Sequence, residues 1–143
     1  MIADVECENF PLTNFQVKSL LDSSCKNVQR DTNGTIAIRC MSSTEIQDLN
    51  AKYRDTNTPT NVLTFSYDDS EHDIALCMDV AKREALERNV NLIDYVALLL
   101  THAFLHVLGM DHERSQEEDQ KTLLLEKTIL DQCGFIPISL SGI

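Results

Sequence analysis

The chain has no tryptophan, only four glycines and three prolines, and no pair of cysteines spaced C-x-x-C. Scarce glycine and proline exclude collagen-like and low-complexity architectures. Five cysteines stand at positions 7, 25, 40, 77 and 133. The odd count and wide spacing point to neither a disulfide framework nor a Cys-based zinc site. Reduced, mostly buried thiols in a cytoplasmic protein are the expectation, with Cys40 and Cys77 filling strands as small hydrophobes. Positive charge is also short: 12 Lys and Arg stand against 23 Asp and Glu, a net charge of −11. That argues against broad electrostatic binding to nucleic acid, which needs a cationic surface. The N-terminal stretch MIADVECENF is acidic and lacks the apolar run of a secretory leader.

Long hydrophobic runs are scarce too. One, LIDYVALLLTHAFLHVLG from Leu92 to Gly109, approaches membrane-spanning length. Asp94, His102 and His106 interrupt it, and polar groups in hydrocarbon are expensive. A buried core helix is the reading, and no membrane partner is expected.

What is present is an ordinary hydrophobic fraction in 143 residues, enough for one domain, 1–143, with a real core. Residues 1–8 suggest a strand. Thr13 or Asn14 caps a helix to about Val28, with Phe15, Leu20, Leu21 and Cys25 on its apolar face. Asn33-Gly34 is a turn, and TIAIRCM (Thr35 to Met41) alternates like a half-buried strand. Ser42 and Glu45 form a capping box for a helix to about Arg54. Pro59 bars its continuation. VLTFSY is a strand, DDSEH a turn, and DIALC a short strand. Asp79 begins a helix through Asn89, and Asn91 begins the long apolar helix. Ser115 and Glu118 cap a last helix that Gly134 stops. The tail FIPISLSGI is irregular. Three or four strands with four or five helices in this order predict an α+β fold, a small mixed sheet with helices packed on it.

The chemistry concentrates in HAFLHVLGMDH, His102 to His112, which holds three of the four histidines. His102 and His106, four apart on a helix, share one face. Gly109 accepts the left-handed conformation that ends a helix, so the chain can return His112 to the same ion. Three histidines leave an open fourth position, as catalytic zinc sites do. The predicted cofactor is therefore one Zn2+ per chain on a zinc-protease-like (zincin-like) metal helix, although Ni, Co or Cu suits three imidazoles as well. Asp111, beside His112, is either an orienting group for a ligating imidazole or a turn residue. A zinc protease carries its catalytic glutamate immediately after the first histidine. Here that residue is Ala103, which disfavours peptide hydrolysis.

Three blocks carry a family resemblance. LNAKYRDTNTPTNVLTF (Leu49 to Phe65), DIAL (Asp73 to Leu76) and HAFLHVLGMDH occur in the order and separation of the bacterial YbeY family, which the chain resembles. That family is one of metal-dependent endoribonucleases acting in ribosomal RNA maturation. The resemblance implies a single-strand-specific endoribonuclease working in late maturation of the 16S 3′ end and in ribosome quality control. Zinc ligands would fall on His102, His106 and His112, and a functionally important arginine on Arg54. A guanidinium there would bind a scissile phosphate bidentately. The implied partners are ribosomal RNA or ribosomal particles, with ribosomal or assembly proteins supplying affinity that an acidic enzyme lacks. Ala103 replaces the family's usual glycine, Met110 a tyrosine, and His72 a glycine. His72 falls in the DDSEH turn, where an exposed side chain is expected and a fourth metal ligand is the alternative. A non-nucleolytic assembly factor with a structural metal is the second functional reading. A metallohydrolase on a non-RNA substrate is the third.

Overall fold

The computed structural model describes residues 1–30, 33–110 and 116–139, with backbone alone for 116–119. The element order is β1 (Ile2–Glu6), α1 (Asn14–Val28), β2 (Thr35–Met41), α2 (Ser43–Arg54), β3 (Val62–Ser66), β4 (Glu71–Cys77), α3 (Met78–Arg88), α4 (Leu92–Val107) and α5 (Gln116–Gln132). The fold is α+β, as expected. The sheet runs β1-β2-β4-β3. β1, β2 and β4 are parallel, and β3 is an antiparallel edge strand on β4.

Alternation along the strands builds a core on each face of the sheet. Ile36, Ile38, Ile74 and Leu76 enter the main core with residues of α1, α4 and α5. On the other face Ala75 and Cys77 meet Ile46 of α2 and Val80 of α3. α4 lies at the centre. Every residue from Tyr95 to Thr101 is fully buried, as a helix that is apolar all round requires. Burial of each leucine there contributes about 1.5–3 kcal/mol. Among the described residues no single helix is long and apolar enough to cross a membrane. Only α3 and α4 together pass on length and composition, and they are bent by 117°.

The predicted caps form. Thr13 Oγ1 accepts from Gln16 N at 3.1 Å while the Gln16 side chain accepts from Thr13 N at 2.9 Å. Ser42 and Glu45 make the same reciprocal pair. Asn91 caps α4 by accepting from Ile93 N. The expected Ser115–Glu118 cap lies outside the described residues.

Three expectations fail for identifiable reasons. Phe15 is 79% exposed, because α1 turns Val17, Leu20, Leu21 and Ser24 inward and Phe15 stands off that stripe. The hairpin between β3 and β4 is tighter than DDSEH suggested. Asp68 folds it by accepting from Ser70 N, Ser70 Oγ and Glu71 N. Those bonds, the Ser70 hydroxyl first, hold the Asp68 carboxyl below the usual carboxylate range. Glu71 and His72 thereby join the strand, and His72 is buried, not exposed in a turn. Finally, Cys7 and Cys40 are not reduced thiols. They form a disulfide with Cα atoms 5.2 Å apart. The β1–β2 register pairs Glu6 with Arg39, so the next positions on the two strands are these cysteines. Their separation of 33 residues concealed the pairing. Cys25, Cys77 and Cys133 form no disulfide.

Candidate metal and phosphate site

α4 brings His102 and His106 onto one face near its C-terminal end, as the four-residue spacing requires. Their Nε2 atoms face each other 3.1 Å apart, and the rings are tilted by 59° with centroids 4.6 Å apart. Two nitrogens each about 2.05 Å from a tetrahedral zinc would lie about 3.3 Å apart. The pair therefore has the bite of a metal chelate, and its donor chemistry fits a borderline-soft divalent ion. His102 Nδ1 lies 3.1 Å from Oε2 of Glu126, which α5 supplies. The other carboxylate oxygen of Glu126 is buried without a hydrogen-bond partner among the described residues.

The turn after α4 is built as the glycine predicted. Gly109 has φ +91°. Its N–H donates to His106 O at 3.0 Å and Met110 N–H donates to Leu105 O at 2.9 Å. These two bonds close the helix end and turn the chain away directly after His106. Arg30, from the end of α1, donates to the Leu108 carbonyl and adds a cation at the negative end of the α4 dipole. Met110 packs against the main core. His112 and Asp111, expected to supply the third ligand and its orienting group, lie outside the described residues.

His72 does not join the pair. Its Nδ1 lies 2.7 Å from Ser66 Oγ and its Nε2 3.4 Å from the Asp69 carbonyl, so local groups engage both ring nitrogens. Among the described residues no three His, Cys, Asp or Glu side chains gather around one point. Ala103 is fully buried, so the position of a protease base is occupied by a methyl group facing the core.

Arg54 ends α2 and is exposed. Asp55 follows in the left-handed conformation, with φ 54°, and closes the helix. The Arg54 guanidinium donates to Thr64 O of β3 at 2.7 Å and to Tyr53 O at 3.2 Å. Its Cζ stands 5.1 Å from the Phe65 ring centroid. Two carbonyls and an aromatic face thus fix the plane of the fork against β3. β3 is also the strand on which α4 packs. Among the described residues Arg54 makes no ion pair, although the chain carries 23 acidic residues. Such an arginine keeps donors for an anion. Lys52 adds a second cation, 5.1 Å from the Tyr53 ring centroid, and Tyr53 meets Phe65 edge-on.

Asn61, in the PTNVLTF block, is structural. It donates to Glu84 Oε1 at 2.9 Å, which also accepts from Tyr95 OH at 2.8 Å. Sequence reasoning missed Glu126 and Arg30. The signal for Glu126 was a carboxylate in line with Thr122 and Ile129 on the inward stripe of α5. Arg30 carried no such signal, because its contact spans 78 residues.

Comparison with known proteins identifies the family. A family profile described as Endoribonuclease YbeY matches residues 4–134. A protein of that name from Acinetobacter baumannii is 33% identical over 138 residues, covering 89% of this chain and 87% of its own. Another, from Acidovorax ebreus, is 40% identical over 103 residues, covering 70% and 68%. The solution structure of TM1509 from Thermotoga maritima superposes with a TM-score of 0.64 at 24% identity, covering 92% of this chain and 91% of that one, and supports the fold. The match across 4–134 and these identities establish that the chain belongs to the Endoribonuclease YbeY family.

Proposed function

We propose that this chain, as one domain over residues 1–143, is a zinc-dependent endoribonuclease that cuts single-stranded ribosomal RNA during late maturation of the 16S 3′ end and in ribosome quality control. The observation that carries the proposal is the pair of Nε2 atoms of His102 and His106 held 3.1 Å apart. His112 completes the ligand set in this reading, with Asp111 as its orienting neighbour, and a fourth position stays open. A bound zinc supplies Lewis acidity toward a phosphoryl oxygen and a water acidic enough to react near neutral pH.

The chain's own residues supply the rest. Arg54 presents its fork to the non-bridging oxygens of the scissile phosphate and offsets the charge that builds there. The Thr64 and Tyr53 carbonyls hold that fork in place, so little ordering is left to do on binding. Lys52 draws the neighbouring phosphate. Buried Ala103 offers no proton acceptor, which speaks against a peptidase. The relatives' activity favours cleavage over an assembly factor with a purely structural metal. With a net charge of −11, ribosomal particles or their proteins supply part of the RNA affinity.

The test is cleavage of an end-labelled single-stranded RNA by zinc-loaded protein, with His106→Ala and Arg54→Ala purified in parallel and their folding checked by circular dichroism. Loss of cleavage in both folded variants supports the proposal. Equal cleavage by all three identifies a contaminating nuclease and removes its support. Absence of cleavage even on ribosomal particles favours the assembly factor.

A further inference from the structure

Glu126 is fully buried on α5, 24 residues after His102 in sequence. A carboxylate at such a site is costly unless something requires it. Its neighbours on the inward stripe, Ile129 and Leu130, are fully buried aliphatic residues, so an aliphatic side chain would suit the position. One oxygen lies 3.1 Å from His102 Nδ1, and the other has no hydrogen-bond partner among the described residues. Packing alone therefore does not account for the residue.

We infer that Glu126 is a positioning residue that fixes the tautomer and ring orientation of His102 for metal binding. The inference rests on the metal-binding reading above and names a residue that this reading does not use. Glu126 Oε2 accepts the Nδ1–H of His102. In a neutral ring the proton on Nδ1 leaves Nε2 as the lone-pair nitrogen. That lone pair points to the side on which His106 presents its own Nε2. Without the carboxylate the ring loses the acceptor that keeps its proton on Nδ1 and can carry it on Nε2, which cannot then ligate. Carboxylate partners of this kind set metal affinity by about 10–100-fold.

The test uses the full chain and zinc alone, with affinity measured by competition against a chromophoric chelator. Glu126→Leu removes the acceptor and offers the stripe an aliphatic side chain. The expected result is a zinc Kd raised by about 10–100-fold while the urea midpoint of the zinc-free protein stays level or rises. A merely structural Glu126 gives the reverse, a lower midpoint with an unchanged Kd, and overturns the inference. Should Glu126→Leu fail to fold, Glu126→Gln keeps the shape and removes the charge. Ring nitrogen NMR of zinc-free protein then reads the tautomer directly. Wild type is expected to carry the His102 proton on Nδ1, and the Gln variant to shift it toward Nε2. An unchanged tautomer in the Gln variant also overturns the inference. A wild-type chain that binds no zinc overturns the metal reading itself, and is distinguishable because it requires no variant.

Discussion

Replacing Gly109 with alanine tests the turn that carries the chain away from His106, and Gly134→Ala supplies its control. Both glycines have left-handed backbones, φ +91° and +83°. A side chain at either position costs about 1–2 kcal/mol for the conformation alone. Their surroundings differ. Among the described residues a Cβ on Gly134 would meet nothing within 4 Å, whereas one on Gly109 would strike the Arg30 guanidinium. Arg30 must then withdraw from the Leu108 carbonyl, and the lost hydrogen bond adds about 0.5–1.5 kcal/mol. Gly109→Ala is therefore expected to cost about 1.5–3.5 kcal/mol, roughly 1 kcal/mol more than Gly134→Ala. The assay is urea denaturation followed by circular dichroism, with a chelator present so that metal binding does not contribute. Repeating it on Arg30→Ala completes the cycle, because the excess cost at Gly109 should vanish there. Equal costs at the two glycines, or an excess that survives Arg30→Ala, would refute this account of the helix end.

Three further outcomes follow from the fold. Burial first, and then the Glu84 hydrogen bond, push the Tyr95 hydroxyl up to about 12. Its folded value thus exceeds the unfolded one, so the stability it contributes is complete below pH 10. That stability falls by about 2–3 kcal/mol as pH rises toward 12, and Tyr95→Phe should remove this part of the alkaline loss in urea titrations. Reducing the Cys7–Cys40 disulfide, which closes a 33-residue separation, is expected to lower stability by about 3–4 kcal/mol on loop entropy. The β1–β2 ladder persists, so far-ultraviolet circular dichroism should be unchanged by reductant below the unfolding transition. Ser42→Ala removes one half of a reciprocal cap and is expected to cost about 1 kcal/mol by the same denaturation assay.

Much of the architecture was legible because local chemistry and tertiary packing agree. The capping boxes at Thr13 and Ser42, the alternation from Thr35 to Met41 and the apolar run from Leu92 each specify an element that the fold then uses. Misreadings arose where distant residues decide. Phe15 looked like core because hydrophobicity was read without the phase set by Val17 and Leu20. His72 looked like turn because Asp68, not composition, sets where the hairpin closes. Cys7 and Cys40 meet only through the parallel register of β1 and β2. At the candidate site, the His102–His106 pair was legible because four residues make one helical turn. Glu126 and Arg30 were not, because their contacts with α4 cross 24 and 78 residues. The carbonyl anchoring of Arg54 was equally hidden, since Thr64 lies on a strand whose position depends on the sheet.

The most direct test of the central claim is RNA cleavage measured against zinc occupancy. Metal-free protein is titrated with zinc, and single-turnover cleavage of a labelled single-stranded RNA or a ribosomal particle is followed at each step. The account predicts that cleavage rises with zinc and saturates at about one equivalent per chain, and that folded His106→Ala stays inactive throughout. Full cleavage by metal-free protein, or cleavage by His106→Ala equal to wild type, would contradict it.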